Sequence, residues 1–253
     1  MYDFLDSDGV QAVLEAVKGK IPTVSNPNLL TNPNFSINQR GISGAFSDTG
    51  KYFVDRWRLV SGTVTVNSDG TLTLDGSICQ PLENAAGANV TASVSAGTAV
   101  YDDTAKTFTI TGNGDVISWA KLEIGCAATA FIPPDPATEL LRCMRYYEVL
   151  MSANCDRGIP ANLSPGNTGE AELLFKTAKR AVPSLVSNKL RFVVSSSIGY
   201  AVSIADIKQY TADNYGMSIL TTDSLLSELP SYLFGVTIDT ASTDALAVDA
   251  EIY

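Results

Sequence analysis

The sequence predicts a mainly β protein, and three observations carry that reading. Charged residues make up only 17% of the 253-residue chain, while Thr, Ser, Ala, Val and Gly abound, which suits short strands better than long solvated helices. The segment TVTVNSDGTLTL, Thr63 to Leu74, alternates Val64, Val66, Leu72 and Leu74 with threonines about an Asn-Ser-Asp-Gly turn. That is the pattern of a hairpin with one apolar and one threonine face. Alternating runs such as NVTASVSAG and FTITGNGDVISW then recur at roughly 10-residue spacing with turn residues between them, the signature of a sandwich or barrel.

Residues 1–24 predict an N-terminal helical arm. In DSDGVQAVLEAVKGKIP, Asp8 can cap and Gln11 stands three residues on, as in a capping box. Val10, Val13, Leu14, Val17 and Ile21 follow at helical spacing on one side, and Gly19 with Pro22 closes the helix. So short a helix is marginal alone in water, so its apolar stripe must dock on its own globule or on copies of itself. Those five residues are the candidate oligomerisation contacts. The DSDG is not a calcium loop, because Phe4 falls where the first Asp ligand must stand.

Residues 25–134 read as an all-β domain, with Gly112-Asn113-Gly114-Asp115 expected as a turn. At its head, NLLTNPNFSINQRG, Asn28 to Gly41, reads as the opening strand. Leu29, Leu30, Phe35 and Ile37 face the core, and the asparagines serve turns and backbone-capping bonds. Three prolines in FIPPDP, from Phe131, break the pattern. Asp135 as cap and Pro136 in the first turn then start a linker helix within 135–150, with Leu140, Cys143, Met144 and Tyr147 at helical spacing and a strand beginning near Tyr147. Residues 151–253 are again β-rich and form a second β domain.

Composition also narrows function. The net charge is -10, whereas an extended phosphate-binding surface needs clustered Lys and Arg, so neither nucleic acid nor anionic lipid is an expected partner. No apolar run approaches the roughly 18 residues of a membrane span. MYDFLDSDGVQ lacks the basic and apolar regions of a signal peptide. The expectation is a soluble protein that stays where it is made or leaves as part of an assembly. With no histidine in the chain, Ser-His-Asp and Cys-His nucleophiles and His-ligated zinc are excluded. Cysteines 79, 126, 143 and 155 form no CxxC and read as free thiols. Two carboxylates could still serve a glycosidase, but plain surface acids are the simpler reading. No enzyme activity, metal or cofactor is expected.

The remaining candidates for a site are aromatic. Tyr200, Tyr210 and Tyr215 lie in or near the loop region IKQYTADNYG, and tyrosine suits a sugar site because its ring stacks on an apolar sugar face while its hydroxyl stays wet. Packing tyrosines are the plainer alternative. Trp57 and Trp119 stand in strand contexts and read as core. The sequons at Asn34, Asn89 and Asn162 read as chance matches. In RCMRYY, 142–147, the arginines read as the snorkelling edge of an amphipathic helix.

Several of these segments, in this order and spacing, resemble bacteriophage tail-fibre and receptor-binding proteins. NLLTNPNFSINQRG followed by YFVDRW resembles the opening of that family's first domain. ICQPLE with GANVTASVSAG resembles its middle strands, which are similar to carbohydrate-binding jelly rolls. WAKLEIGCAATAFIPPDPATELLRCMRYYE resembles its closing strand, proline break and linker. FKTAKRAVPSL and VDAEIY resemble strands of the head domain. Lys179-Arg180-Ala181 departs from the Met-Arg pair expected there, and the chain has no long shaft or repeats.

The resemblance implies a jelly-roll β-sandwich over 25–134, a β-sandwich head over 151–253, and a homotrimer. It also implies a non-enzymatic virion protein, assembled in the host cytoplasm and exposed on the particle. Its partners would be other tail or capsid proteins, through the arm, and bacterial surface polysaccharide. The alternative it leaves open is a structural connector or head or collar decoration without receptor binding.

Overall fold

The computed structural model describes residues 10–11, 25–151, 159–164, 168–186, 190–193, 201–204, 207–222, 234–238 and 246–252. The fold is mainly β: several antiparallel sheets and one short helix among the described residues. Val10 and Gln11 are helical and exposed. Val13, Leu14, Val17 and Ile21 lie outside the described residues.

The first eight strands are β1 (Gly44–Phe46), β2 (Tyr52–Val54), β3 (Trp57–Val66), β4 (Leu72–Pro81), β5 (Val90–Val94), β6 (Thr98–Asp102), β7 (Thr107–Ile117) and β8 (Ala120–Ile124). Six of them form one sheet in the order β1-β3-β4-β7-β6, with β2 also on β3, and β5 pairs with β8. The expected hairpin is β3–β4, in register Val64↔Leu74, Thr65↔Thr73 and Val66↔Leu72. Its inner residues Val64, Leu72 and Leu74 are buried completely. Asn67 ties the turn to the threonine face, donating from Nδ2 to Thr71 Oγ1 at 2.9 Å and Thr73 Oγ1 at 3.0 Å.

Trp57 is the centre of the core. Phe35 meets its ring edge-on at 5.1 Å and Phe108 at 6.1 Å, a geometry that the ring quadrupoles favour. Its indole donates to the Asn32 carbonyl at 2.8 Å. Leu59, Ile78, Ile110, Ile117 and Leu122 complete the cluster. Three glycines stand in register across the large sheet, Gly62↔Gly76↔Gly112. A Cβ on Gly62 would come within 2.0 Å of the Asp75 oxygen, and one on Gly76 within 2.1 Å of the Ser61 oxygen. The two backbones approach too closely there for any side chain.

Two expectations for this region are corrected. Gly112–Asp115 is not a turn, because β7 runs through it as one strand. Leu74 pairs with Asp115 and Asp75 with Asn113, so Gly114, at φ 78°, is the extra residue of a bulge. Asp115 Oδ2 accepts the Asn113 N–H at 2.9 Å and holds it. NLLTNPNFSINQRG is not a strand but a coil of bends and turns, although Leu30 and Phe35 are core residues as expected. Side-chain amides replace its ladder. Asn28 accepts the Leu122 N–H at 3.1 Å and donates to the Ala120 carbonyl at 2.9 Å, so it pairs with β8 as a backbone unit would. Asn32, fully buried at φ 54°, donates to the Ile37 and Asp55 carbonyls and accepts the Ile37 N–H.

The helix α1 spans Pro136–Met144. Asp135 caps it, accepting the Thr138 N–H at 2.9 Å, with Pro136 in the first turn as expected. It is shorter than 135–150, and its buried face carries Glu139, Cys143 and Met144. Then come β9 (Tyr147–Met151), β10 (Ile159–Ser164), β11 (Thr168–Leu174), β12 (Ser184–Leu185), β13 (Leu190–Val193), β14 (Ala201–Ile204), β15 (Ile207–Ala212), β16 (Gly216–Thr222), β17 (Phe234–Ile238) and β18 (Leu246–Asp249). They form a three-stranded sheet β12-β18-β9 and a seven-stranded sheet β14-β13-β17-β10-β11-β16-β15. Cys79 and Cys143 are buried free thiols and Cys126 is an exposed one; Cys155 lies outside the described residues.

Candidate functional site

The charged residues of the patterned segments converge on one buried junction. Asp55 and Arg56 form the tight connection between β2 and β3, with Arg56 at φ 71°. Both are sealed from solvent. The Arg56 guanidinium donates to the Glu251 carboxylate and to the Pro81 carbonyl, and its carbon lies 3.6 Å from the centre of the Tyr146 ring. Asp55 accepts the Gln39 N–H at 2.6 Å and the Gln39 amide at 3.0 Å. Arg40 reaches Asp249 at 3.4 Å and Glu251 at 3.6 Å, with its guanidinium 3.8 Å from the Tyr147 ring centre. The Tyr52 hydroxyl donates to the Ile252 carbonyl.

A second buried pair adjoins it. Lys179 donates to Glu148 and to the Met144 carbonyl at 2.7 Å, while Glu148 also accepts the Lys176 N–H at 3.1 Å. Arg180 donates from Nε to the Ala250 carbonyl at 3.1 Å. Segments around residues 40, 55, 148, 179 and 250 are thus locked together.

Burial sets the protonation behaviour here. It pushes the Asp55 carboxyl up to about 6, against the pull of Arg40 and the Gln39 bonds. It pushes the Tyr146 phenol up to about 12 despite nearby Arg56. It draws the Lys179 ammonium down, with the Glu148 bond opposing. Their hydrogen bonds and ion pairs join distant segments of the chain, so the junction does the work of a lock. Sequence reading missed these roles because each ion finds its partner far along the chain. The only local signal is a charge placed between apolar neighbours, as in VDRW and DAEI.

Two of the surface clefts among the described residues are lined by candidate ligand contacts. One, of about 320 Å³, is lined by Glu172, Leu174, Asp213, Tyr215 and Met217 among others. Tyr215 sits at the tip of the β15–β16 hairpin and is 70% exposed. Asp213 Oδ1 accepts the Tyr215 N–H at 2.7 Å and the Gly216 N–H at 2.9 Å, which fixes the tip before any ligand arrives. Tyr210 is on the same hairpin, at the bulge between Gln209 and Thr211. Tyr200 lies outside the described residues. The structure therefore places two of the three tyrosines on one hairpin.

The other cleft, of about 360 Å³, lies between α1 and the loop after β4, and Arg56, Arg142, Arg145, Glu83 and Asn84 are among its lining residues. Glu83 accepts from Arg145 Nε and Nη2, both at 3.0 Å, and from the Tyr146 hydroxyl at 2.7 Å. These bonds hold its carboxyl below the usual carboxylate range, with the Arg145 bond the largest cause.

Among the described residues no group of three or more Cys, Asp or Glu is placed to hold a metal ion, and no helix is long and apolar enough to cross a membrane. No protein-family model, curated protein or solved structure matches the chain.

Proposed function

We propose that the chain is a non-enzymatic virion protein of the bacteriophage tail-fibre or receptor-binding type. It acts as a homotrimer, is exposed on the particle, and attaches to host cell-surface glycan. The observation that carries this reading is the convergence of the resembling segments. NLLTNPNFSINQRG, YFVDRW, the linker, FKTAKRAVPSL and VDAEIY touch one another through Arg40, Asp55, Arg56, Glu148, Lys179 and Glu251. Pieces recognised by their spacing are therefore parts of one physical unit, as a shared fold signature requires.

The jelly-roll and head assignments belong to the same proposal: a six-stranded and a two-stranded sheet sharing one apolar core over 25–134, and a β-rich remainder, support them. The hairpin bearing Tyr210 and Tyr215 supplies the glycan contact, with Tyr215 offering an exposed ring over an acidic cleft. Single contacts need only be weak, because several copies on one particle raise the effective concentration. The purified chain should scatter light with about three times its 26.8 kDa mass. It should bind host cells, and Tyr215→Ala should abolish binding without loss of folding. No binding to any host envelope, with adsorption unaltered when the protein is deleted, would overturn the attachment role.

A second reading is a connector or head or collar decoration. It is favoured by the burial of the junction residues, since a recognisable signature made of buried side chains reports scaffold rather than receptor contact. A binding-null chain still required for particle formation would select it.

A further inference from the structure

The cleft beside α1 has an unusual charge arrangement for so acidic a chain. Three guanidiniums line it, from Arg56, Arg142 and Arg145, but only one carboxylate does, that of Glu83. Arg142 and Arg145, one helical turn apart, are 42% and 43% exposed. The partners of Arg142 and Arg56 lie behind them: Glu139 is 1% exposed and Glu251 is sealed completely. Arg56 is sealed beneath the lining, so a ligand in the cleft meets Arg142 and Arg145 directly, with Glu83 beside Arg145 and Glu139 screened by protein.

Donors are also left over. Arg142 spends Nη1 on Glu139 and Nη2 on the Leu30 carbonyl and Thr31 hydroxyl, leaving Nε. Arg145 spends Nε and Nη2 on Glu83, leaving Nη1. Arg56 Nε also lacks a hydrogen-bond partner but is buried beneath the lining, so Arg56 lends charge rather than a direct contact. The exposed Asn84 adds an amide at the rim.

We propose that this cleft is a second sugar site, selective for a saccharide unit that bears a carboxylate or phosphate. The volume of about 360 Å³ holds one such unit, since small-ligand sites begin near 300 Å³. Guanidinium groups bind oxyanions through charge-assisted bonds that a neutral sugar cannot make. Asn84 and the backbone of residues 83–85 take the hydroxyls. The ligand class rests on the glycan-attachment reading; the charge selectivity rests on the cleft itself.

The test is titration of the full chain, by calorimetry, with tetragalacturonate, glucose 6-phosphate and the neutral cellotetraose. An acidic probe should bind at least about tenfold more tightly than the neutral one, and less tightly as salt rises. Which acidic probe binds tells carboxylate from phosphate. Arg142→Gln with Arg145→Gln should weaken acidic binding by about ten- to a hundredfold. Asn84→Ala, which breaks no side-chain hydrogen bond among the described residues, should weaken it several-fold and guards against a folding artefact.

Equal binding of acidic and neutral probes, no binding of either acidic probe, or unchanged affinity in the double variant would each overturn the proposal. It fails separately from attachment. Host-cell binding lost in Tyr215→Ala, with no acidic sugar bound, removes the cleft alone; acidic sugar bound, with no host envelope recognised, removes attachment alone.

Discussion

Arg56 and Arg145 are each paired with a glutamate and each lie against Tyr146, yet they stand in opposite situations. Arg56 and its partner Glu251 are 2% and 0% exposed, whereas Arg145 and Glu83 are 43% and 27% exposed. In the first pair both ions have left water, and each is the charge that compensates the other's burial. In the second, water already solvates both ions, and the bond adds little beyond orientation. The same chemistry therefore makes a buried lock in one place and a solvent-facing pair in the other. Burial, rather than residue type, divides the two.

The comparison breaks most visibly at Glu251. Glu251→Ala leaves the Arg56 guanidinium buried and unpaired, and denaturant unfolding should show a loss of about 3–5 kcal/mol. Replacing both partners, Arg56→Met with Glu251→Leu, should cost much less than either single change, because neither ion then needs compensating. A double variant as unstable as the singles would show that the Pro81 bond and Tyr146 contact, not the charges, carry the junction.

A pH series sharpens the same point. Asp55 carries a carboxyl raised by burial to about 6. Its stabilising contribution is therefore complete below the ordinary carboxylate value and is lost as pH rises through about 6. Wild-type stability relative to Asp55→Asn should fall between pH 4 and pH 7, with roughly that window set by the raised value. Parallel stability curves for the two proteins would contradict it. The smallest effect belongs to Arg145→Ala, which should cost under about 1 kcal/mol, and less still in high salt.

How far the fold was legible follows from the range of the forces involved. The β3–β4 hairpin was plain because alternation and turn chemistry act within a dozen residues or so. The asparagines of NLLTNPNFSINQRG were rightly assigned to backbone bonds, but the same amides satisfy a coil as well as a strand, so the element type was misread. Gly112–Asp115 misled for a similar reason: residues that favour positive φ serve a bulge as readily as a turn. Tyr215 was legible as a loop residue, and it stands exposed at a hairpin tip. The arginine cleft could not be found this way, because Arg56 meets the helix only through the tertiary fold.

The separation of Arg56 and Glu251, 195 residues apart, also has a consequence in time. During synthesis the first sheet emerges long before the ion that neutralises its buried guanidinium. Such distant pairing is slow, and the early chain must hold that position open. Premature termination anywhere in between would leave an uncompensated cation at the buried β2–β3 connection, so a chain cut short there should be less stable than the whole.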